Sequence, residues 1–178
     1  MKKKYRASIS DSGSIDKLIK ELEVYKESLN DRTRMLIEAL AAEGIKILNA
    51  ELSGIPPYYR EGKDGDIETN TGELVESDGK WSCRIHMSGG QALFVEFGAG
   101  AILNTSVGGS LHPKGAELGM TIGSYPDQTH ADDPEGWWYT DRWGESQHTY
   151  GTPTFAPLYN TSEELIASIY EVAKKVYG

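Results

Sequence analysis

One feature constrains this chain more than any other: an apolar stripe of helical period that runs too long for a small domain. From Ser14 to about residue 52, the residues Ile15, Leu18, Ile19, Leu22, Tyr25, Leu29, Leu36, Leu40 and Ile47 recur at spacings of three, four and seven. Ser14 suits the N-cap, with Asp11 and Ser12 as rivals. Arg32 and Thr33 interrupt the stripe, and Asn30-Asp31 is a place for a kink or a fresh cap. Unbroken, ~38 residues rising 1.5 Å each span about 57 Å. A domain of this length is only roughly 30–40 Å across. Part of the helix must therefore project, bend, or lie along a neighbouring subunit.

Gly54 at a C′ position and Pro56-Pro57 beyond it end the helix. Residues 61–72 are polar and almost without apolar content, which predicts a solvated loop. Trp81, Cys83, Ile85 and Met87 then alternate with polar residues, the period of a half-buried strand. Gly72 to Glu76 pairs with it through a Ser77-Asp78-Gly79-Lys80 turn. The run Ala92 to Phe97 is apolar almost throughout and reads as a central third strand. Trp137 to Thr140 and Gln147 to Tyr150 form a second hairpin about a turn at Asp141 to Gly144. Pro157 suits the first turn of a last helix, whose stripe is Leu158, Leu165, Ile169, Val172 and Val176, widened by Ile166 and Ala173. The order predicts an α+β fold: an antiparallel sheet of about four to five strands, packed by the long N-terminal helix and the C-terminal helix. Residues 1–13 read as a flexible basic tip, and 14–178 as one domain with long loops at 61–72 and 98–136.

Charge narrows the function. The chain carries 18 Lys+Arg against 27 Asp+Glu, a formal charge of −9. Lys2, Lys3, Lys4 and Arg6 crowd the tip, so the body has 14 basic against 27 acidic residues. Such a body repels phosphate and is no groove for DNA or RNA. A single cysteine, Cys83, rules out an intrachain disulfide and a cysteine-based zinc site; it shares the apolar face of Trp81 and Ile85 and reads as core. No apolar run reaches the ~18 residues of a membrane span, and the basic start lacks the apolar stretch of a secretory signal. These point to the cytoplasm, where the sequons at Asn104 and Asn160 carry no meaning.

Chemistry-bearing motifs are few. His86, His112, His130 and His148 show no helical i, i+4 pair and no HExxH. Asp132-Asp133-Pro134-Glu135 lacks the glycine and distal glutamate of a calcium loop. There is no GxSxG elbow and no Walker loop; Gly98-Ala-Gly100 fails as a dinucleotide turn, since Leu103 stands at the third glycine. None of these motifs gives a nucleophile, a cofactor or a metal site. Trp137, Trp138, Tyr139 and Trp143 beside Asp132, Asp133 and Glu135 leave two readings open. One is a core or oligomer interface. The other is a carbohydrate-binding module or glycosidase, with the aromatics as platform and the acids as catalytic pair.

Taken in order, several segments resemble the HK97 gp10-like family of tailed-phage proteins. They are Ala92-Leu-Phe-Val-Glu-Phe-Gly98, a glycine-rich loop with His112-Pro113, Gly136-Trp-Trp-Tyr139, and Gly151-x-Pro153 leading to Leu158-Tyr-Asn-Thr161 and a last helix. The long first helix, with Gly44 before Ile45 and Ile47, is similar too. The chain departs from the family at Phe155-Ala-Pro157, where Pro then Phe is usual. The resemblance covers nearly everything from Ser14 onward. It implies a structural, non-enzymatic virion protein of a phage or prophage: a neck or tail-completion protein that joins head and tail. It also implies a self-assembled ring around the DNA channel, made in the host cytoplasm, with head connector or stopper and tail terminator proteins as neighbours. DNA would pass through without sequence-specific binding, and no membrane is involved. Glu96, Phe97, Gly98, Gly151 and Pro153 would be structural. Tyr25, Leu29, His112, Pro113, Trp137, Trp138 and Trp143 would make subunit contacts.

Overall fold

The computed structural model describes residues 5–6, 12–62, 65–100, 111–121, 123–124, 126 and 128–178. Lys2, Lys3, Lys4, Asp11, Leu103 and Asn104 lie outside the described residues.

Helix α1 runs unbroken over Ser12–Gly54, so Asn30-Asp31 neither kinks nor restarts it. Its 43 residues extend about 64 Å. Gly54 belongs to the last turn and has no left-handed backbone, so it is not the expected C′ glycine. Pro56 stops the helix, and one turn follows as α2 (Pro57–Arg60). Helix α4 (Pro157–Tyr177) packs antiparallel on the C-terminal part of α1. Two contacts define that pairing: Asn160 donates to Glu51 near one end, and the Thr33 and Tyr177 hydroxyls meet at 3.2 Å near the other. Pro157 opens α4 as the sequence predicts, because its absent N–H is not needed in a first turn.

The fold is α+β, but the strands do not form one sheet. Among the described residues they make four separate two-stranded antiparallel ribbons. In chain order these strands are β1 (Glu61–Gly62), β2 (Gly65–Asp66), β3 (Glu68–Thr71), β4 (Val75–Ser77), β5 (Lys80–Ser82), β6 (Ile85–Ser88), β7 (Trp137–Thr140) and β8 (Ser146–Thr149). Segment 61–72, expected to be a loop, thus holds β1, β2 and β3. The predicted hairpin is present. Val75 pairs with Ser82 and Ser77 with Lys80, across a turn in which Asp78 and Gly79 both have positive φ (53° and 73°). That conformation suits the twist of a two-residue hairpin turn. Below it, Thr71 pairs with Ile85. Four steps on one strand then match three on the other, so one residue is extra. The bulge splits the ribbon into β3·β6 and β4·β5. Trp81, Cys83, Ile85 and Met87 alternate as half-buried against exposed neighbours, as the period-two pattern predicts.

The expected central strand is a helix. Ala92–Phe97 forms α3, and Ala92, Val95, Glu96 and Phe97 are buried while Leu93 is exposed. Spacings of three and four put Ala92, Val95 and Glu96 on one helical face, and Phe97 is buried at the helix end beside it. Period alone cannot separate a short apolar run into strand or helix. Glu96 decides the matter physically: on a helix it reaches donors at the start of α4, whereas a central strand would bury its charge unpaired. With this segment helical, no third strand joins the ribbon.

The core sits at the C-terminal end of α1. Leu48, Leu52, Ile55 and Val95 form it, with Tyr59, Ile67, Ile85, Met87, Phe155 and Leu158 packed around. Gly44 is buried where α1 meets β6 and α4, because a Cβ there would collide with the end of Ile85. The buried residues of α1, Ala41, Gly44, Ile47, Leu48 and Leu52, all lie in its C-terminal part. No described helix is long and apolar enough to cross a membrane.

Candidate functional site

Three places concentrate chemistry or exposed apolar surface: a buried acid–histidine node, an aromatic cleft, and the free half of α1.

The node is built by α3. Glu96 is 4% exposed and accepts three hydrogen bonds. Its Oε2 takes the Leu158 N–H at 2.8 Å, and its Oε1 takes the Tyr159 N–H at 3.0 Å. These are free donors of the first turn of α4, where a negative charge also suits the helix dipole. The third partner is His112 Nε2, at 3.0 Å from Oε1. His112 Nδ1 accepts the Lys114 backbone N–H, so the pattern is that of the Nε2–H tautomer, donating to Glu96. His112 is 6% exposed and lies against Phe97 and Tyr159, so the fold consumes the side chain expected at a subunit contact; Pro113 beside it is exposed.

The other structural candidates gather at the same junction. Phe97 is buried on α3 and Gly98 follows as its C-cap. Ala99 and Thr152 exchange two backbone hydrogen bonds of 2.8 Å. Gly151 has φ 107°, and a Cβ on it would strike the Ala99 carbonyl, so only glycine permits this approach. Pro153 is half-buried just beyond. Segments about fifty residues apart in sequence thereby clamp the start of α4.

The aromatic cleft, about 490 Å³, lies between α2, the β7–β8 hairpin and residues 128–131. Tyr58, Tyr59, Trp137, Tyr139 and Trp143 line it together with Glu61, Asp141 and Arg142. Trp137 stacks on His130 at 5.8 Å. Arg142 lies over the Trp143 ring at 4.6 Å and bridges Glu61 (2.8 Å) and Asp66 (3.0 Å), tying the hairpin to β1 and β2. Gln128 Nε2 is buried at the wall with no partner among the described residues. Burial first, and then a hydrogen bond with Tyr58, push the Tyr139 phenol well above its ordinary range. Burial also pushes Asp141 up. Hydrogen bonds from Glu145, Gln147, Trp143 and Gly144 outweigh it and hold the carboxyl below its ordinary value.

The sequence places the aromatics and Asp132, Asp133 and Glu135 together, but the structure separates them. None of the three acids lines the cleft, and Asp133 caps the backbone N–H of Glu135. Trp138 points away from the cleft, 69% exposed with its edge toward His148; Trp143 is 70% exposed. Sequence reasoning missed Tyr58, Glu61, Asp141 and Arg142. Tyr58-Tyr59 after two prolines was the available signal, since adjacent tyrosines in a loop need a surface to cover. Among the described residues no group of three or more His, Cys, Asp and Glu converges to hold a metal ion.

The third place is α1 itself. Ile15, Ile19, Leu22, Val24, Tyr25 and Leu29 are all exposed. Tyr25 and Leu29, singled out as contact residues, lie on this exposed stretch. Comparison with known proteins adds no relative: no family model, no curated protein and no solved structure matches the chain.

Proposed function

We propose that this protein is a structural, non-enzymatic component of a tailed-phage or prophage particle, a neck or tail-completion subunit that joins head and tail. Copies assemble into a ring around the DNA channel, between head connector or stopper and tail terminator proteins. Assembly takes place in the host cytoplasm and the ring ends in the virion neck. The observation that carries the reading is the N-terminal half of α1, an apolar helix face running past the end of α4 on which Ile15, Ile19, Leu22, Tyr25 and Leu29 are exposed. Faces of this kind mark association surfaces. Exposed Trp138 and Trp143 add a second such surface on the β7–β8 hairpin. The acidic body suits a channel through which DNA slides, because a basic lining would hold it. The resemblance of Ala92–Gly98, His112-Pro113, Gly136–Tyr139 and Gly151–Pro153 to the HK97 gp10-like family supplies the place in the particle. Removing the protein from its particle should leave filled heads and free tails unjoined, seen by electron microscopy. Joined, infective particles without it would overturn the proposal.

The aromatic cleft favours one other reading, a carbohydrate-binding module. Trp137, Trp143 and Tyr139 offer ring faces, and Asp141, Glu61 and Gln128 offer hydroxyl partners. Titrating oligosaccharides against tryptophan fluorescence tests it; an unchanged spectrum throughout rejects it.

A further inference from the structure

The free half of α1 names its own partner. Ile15, Leu18, Leu22, Tyr25 and Leu29 are spaced three, four, three and four. These are the first and fourth positions of two consecutive heptads and the start of a third, the seam of a coiled coil. The pattern ends where the protein's own packing begins. Arg32 takes the next seam position, Asn30 accepts a hydrogen bond from Trp81 Nε1, and Thr33 meets Tyr177. On this side, among the described residues, Tyr5 lies tilted against Tyr25, which stays 54% exposed, and Leu18 is half-buried.

Charges beside the seam select the orientation. Glu21 holds the seventh position of the first heptad and Lys26 the fifth position of the second. In two parallel helices in register, the seventh position of one faces the fifth position of the next heptad on the other. Glu21 of each copy then meets Lys26 of the other. The remaining flanking positions are Ser14, Ile19, Ser28 and Thr33, so no like charges oppose. An antiparallel pair would set seventh against seventh and fifth against fifth, so Glu21 and Lys26 of the two copies would not meet.

We infer that the occupant of this face is the same helix segment of a second copy, packed parallel and in register. The inference rests on the assembly reading above and gives it a partner surface. A parallel, in-register contact has its symmetry axis along the helices, so it serves a pair or a cyclic bundle about a ring axis. The seam covers only about 21 Å, from Ile15 to Leu29. A single pair is therefore weak, and the contact strengthens when other interfaces already hold the copies together.

The test uses the full chain with Cys83→Ser as background. Ile15→Cys, treated with a short bismaleimide over a concentration series, should give covalent dimer, because the two copies of residue 15 meet in the parallel register; antiparallel packing would set residue 15 against a fourth position such as 25. Glu21→Lys and Lys26→Glu should each lower the dimer yield several-fold, and the double swap should restore it. Far-UV circular dichroism checks that each variant stays helical. Absence of the Ile15→Cys dimer at every concentration, or a double swap that fails to restore it, overturns the inference. Joined particles that depend on the protein but show no such cross-link would overturn this contact alone. Cross-linked dimer from a protein whose removal leaves particles joined would overturn the neck reading and keep the contact.

Discussion

Glu96 shows how much one side chain decides. It closes α3 against α4 by accepting two helix-start N–H groups, and its remaining contact orients His112. All three partners are donors, so a carboxylate satisfies them and an amide does not. Glu96→Ala should cost about 3 kcal/mol, from the lost cap of two helix-start N–H groups and the lost buried hydrogen bond to His112. That corresponds to a melting temperature lower by roughly 6–12 °C in a chain of this size; calorimetry measures it. Glu96→Gln should recover little, since its NH₂ would face an N–H. Asp141 yields a pH prediction. Its folded pKa lies below the ordinary 3.8, so the stability it adds is complete above that value and disappears as pH falls below it through the lowered pKa. Acid titration followed by tryptophan fluorescence should show the β7–β8 hairpin loosening in that range, and Asp141→Asn should remove this part of the pH dependence. Glu96 was legible in the sequence only as a structural position. His112, read as a contact residue, is buried in its own chain; the fifteen residues between it and Glu96 hide the donor–acceptor match from the sequence.

At the scale of elements, local pattern succeeded wherever the element's own neighbours decided its form. The Asp78-Gly79 turn, the β7–β8 hairpin and the Pro157 helix start are where sequence places them. Pattern failed at Ala92–Phe97, where an apolar run is compatible with either period and a distant helix end supplies the deciding partners. It failed again at 61–72, whose ribbons are held from outside: Arg142 grips Glu61 and Asp66, and Thr69 donates to Asn49 of α1. Gly44 tests how closely α1, β6 and α4 must approach. Gly44→Ala gains about 1 kcal/mol of helix propensity but pushes the end of Ile85, so its net effect should stay within about 1 kcal/mol of zero. Gly44→Leu demands room for a whole side chain and should lose about 2–3 kcal/mol in urea unfolding.

For the whole molecule, the core and the exposed apolar face proposed for assembly occupy opposite ends of one helix. Leu48, Leu52 and Ile55 anchor α1 at one end, while Ile15 to Leu29 extend beyond α4. Removing residues 1–29 should therefore shift the melting temperature by no more than a few degrees, as followed by circular dichroism, because no core contact is lost. Sedimentation of the same truncated chain should show weaker self-association than the full chain. A large loss of stability would mean that the free half of α1 folds back on its own subunit.

What the sequence by itself determined is whatever depends on near neighbours. That includes the length of α1 and its excess over one core, the two hairpin turns, the start of α4, the acidic body and the α+β class. These follow from periodicity, turn chemistry and charge, all of which act over a few residues. Tertiary structure alone decided that the strands stay in separate pairs, that Ala92–Phe97 is helical, that His112 is buried, and that the aromatics part from Asp132, Asp133 and Glu135 to form a cleft with Tyr58 and Arg142. Each of these depends on a partner far along the chain. The free energy of satisfying a buried carboxylate or covering a ring is settled by what the fold brings beside it, not by the adjoining residues.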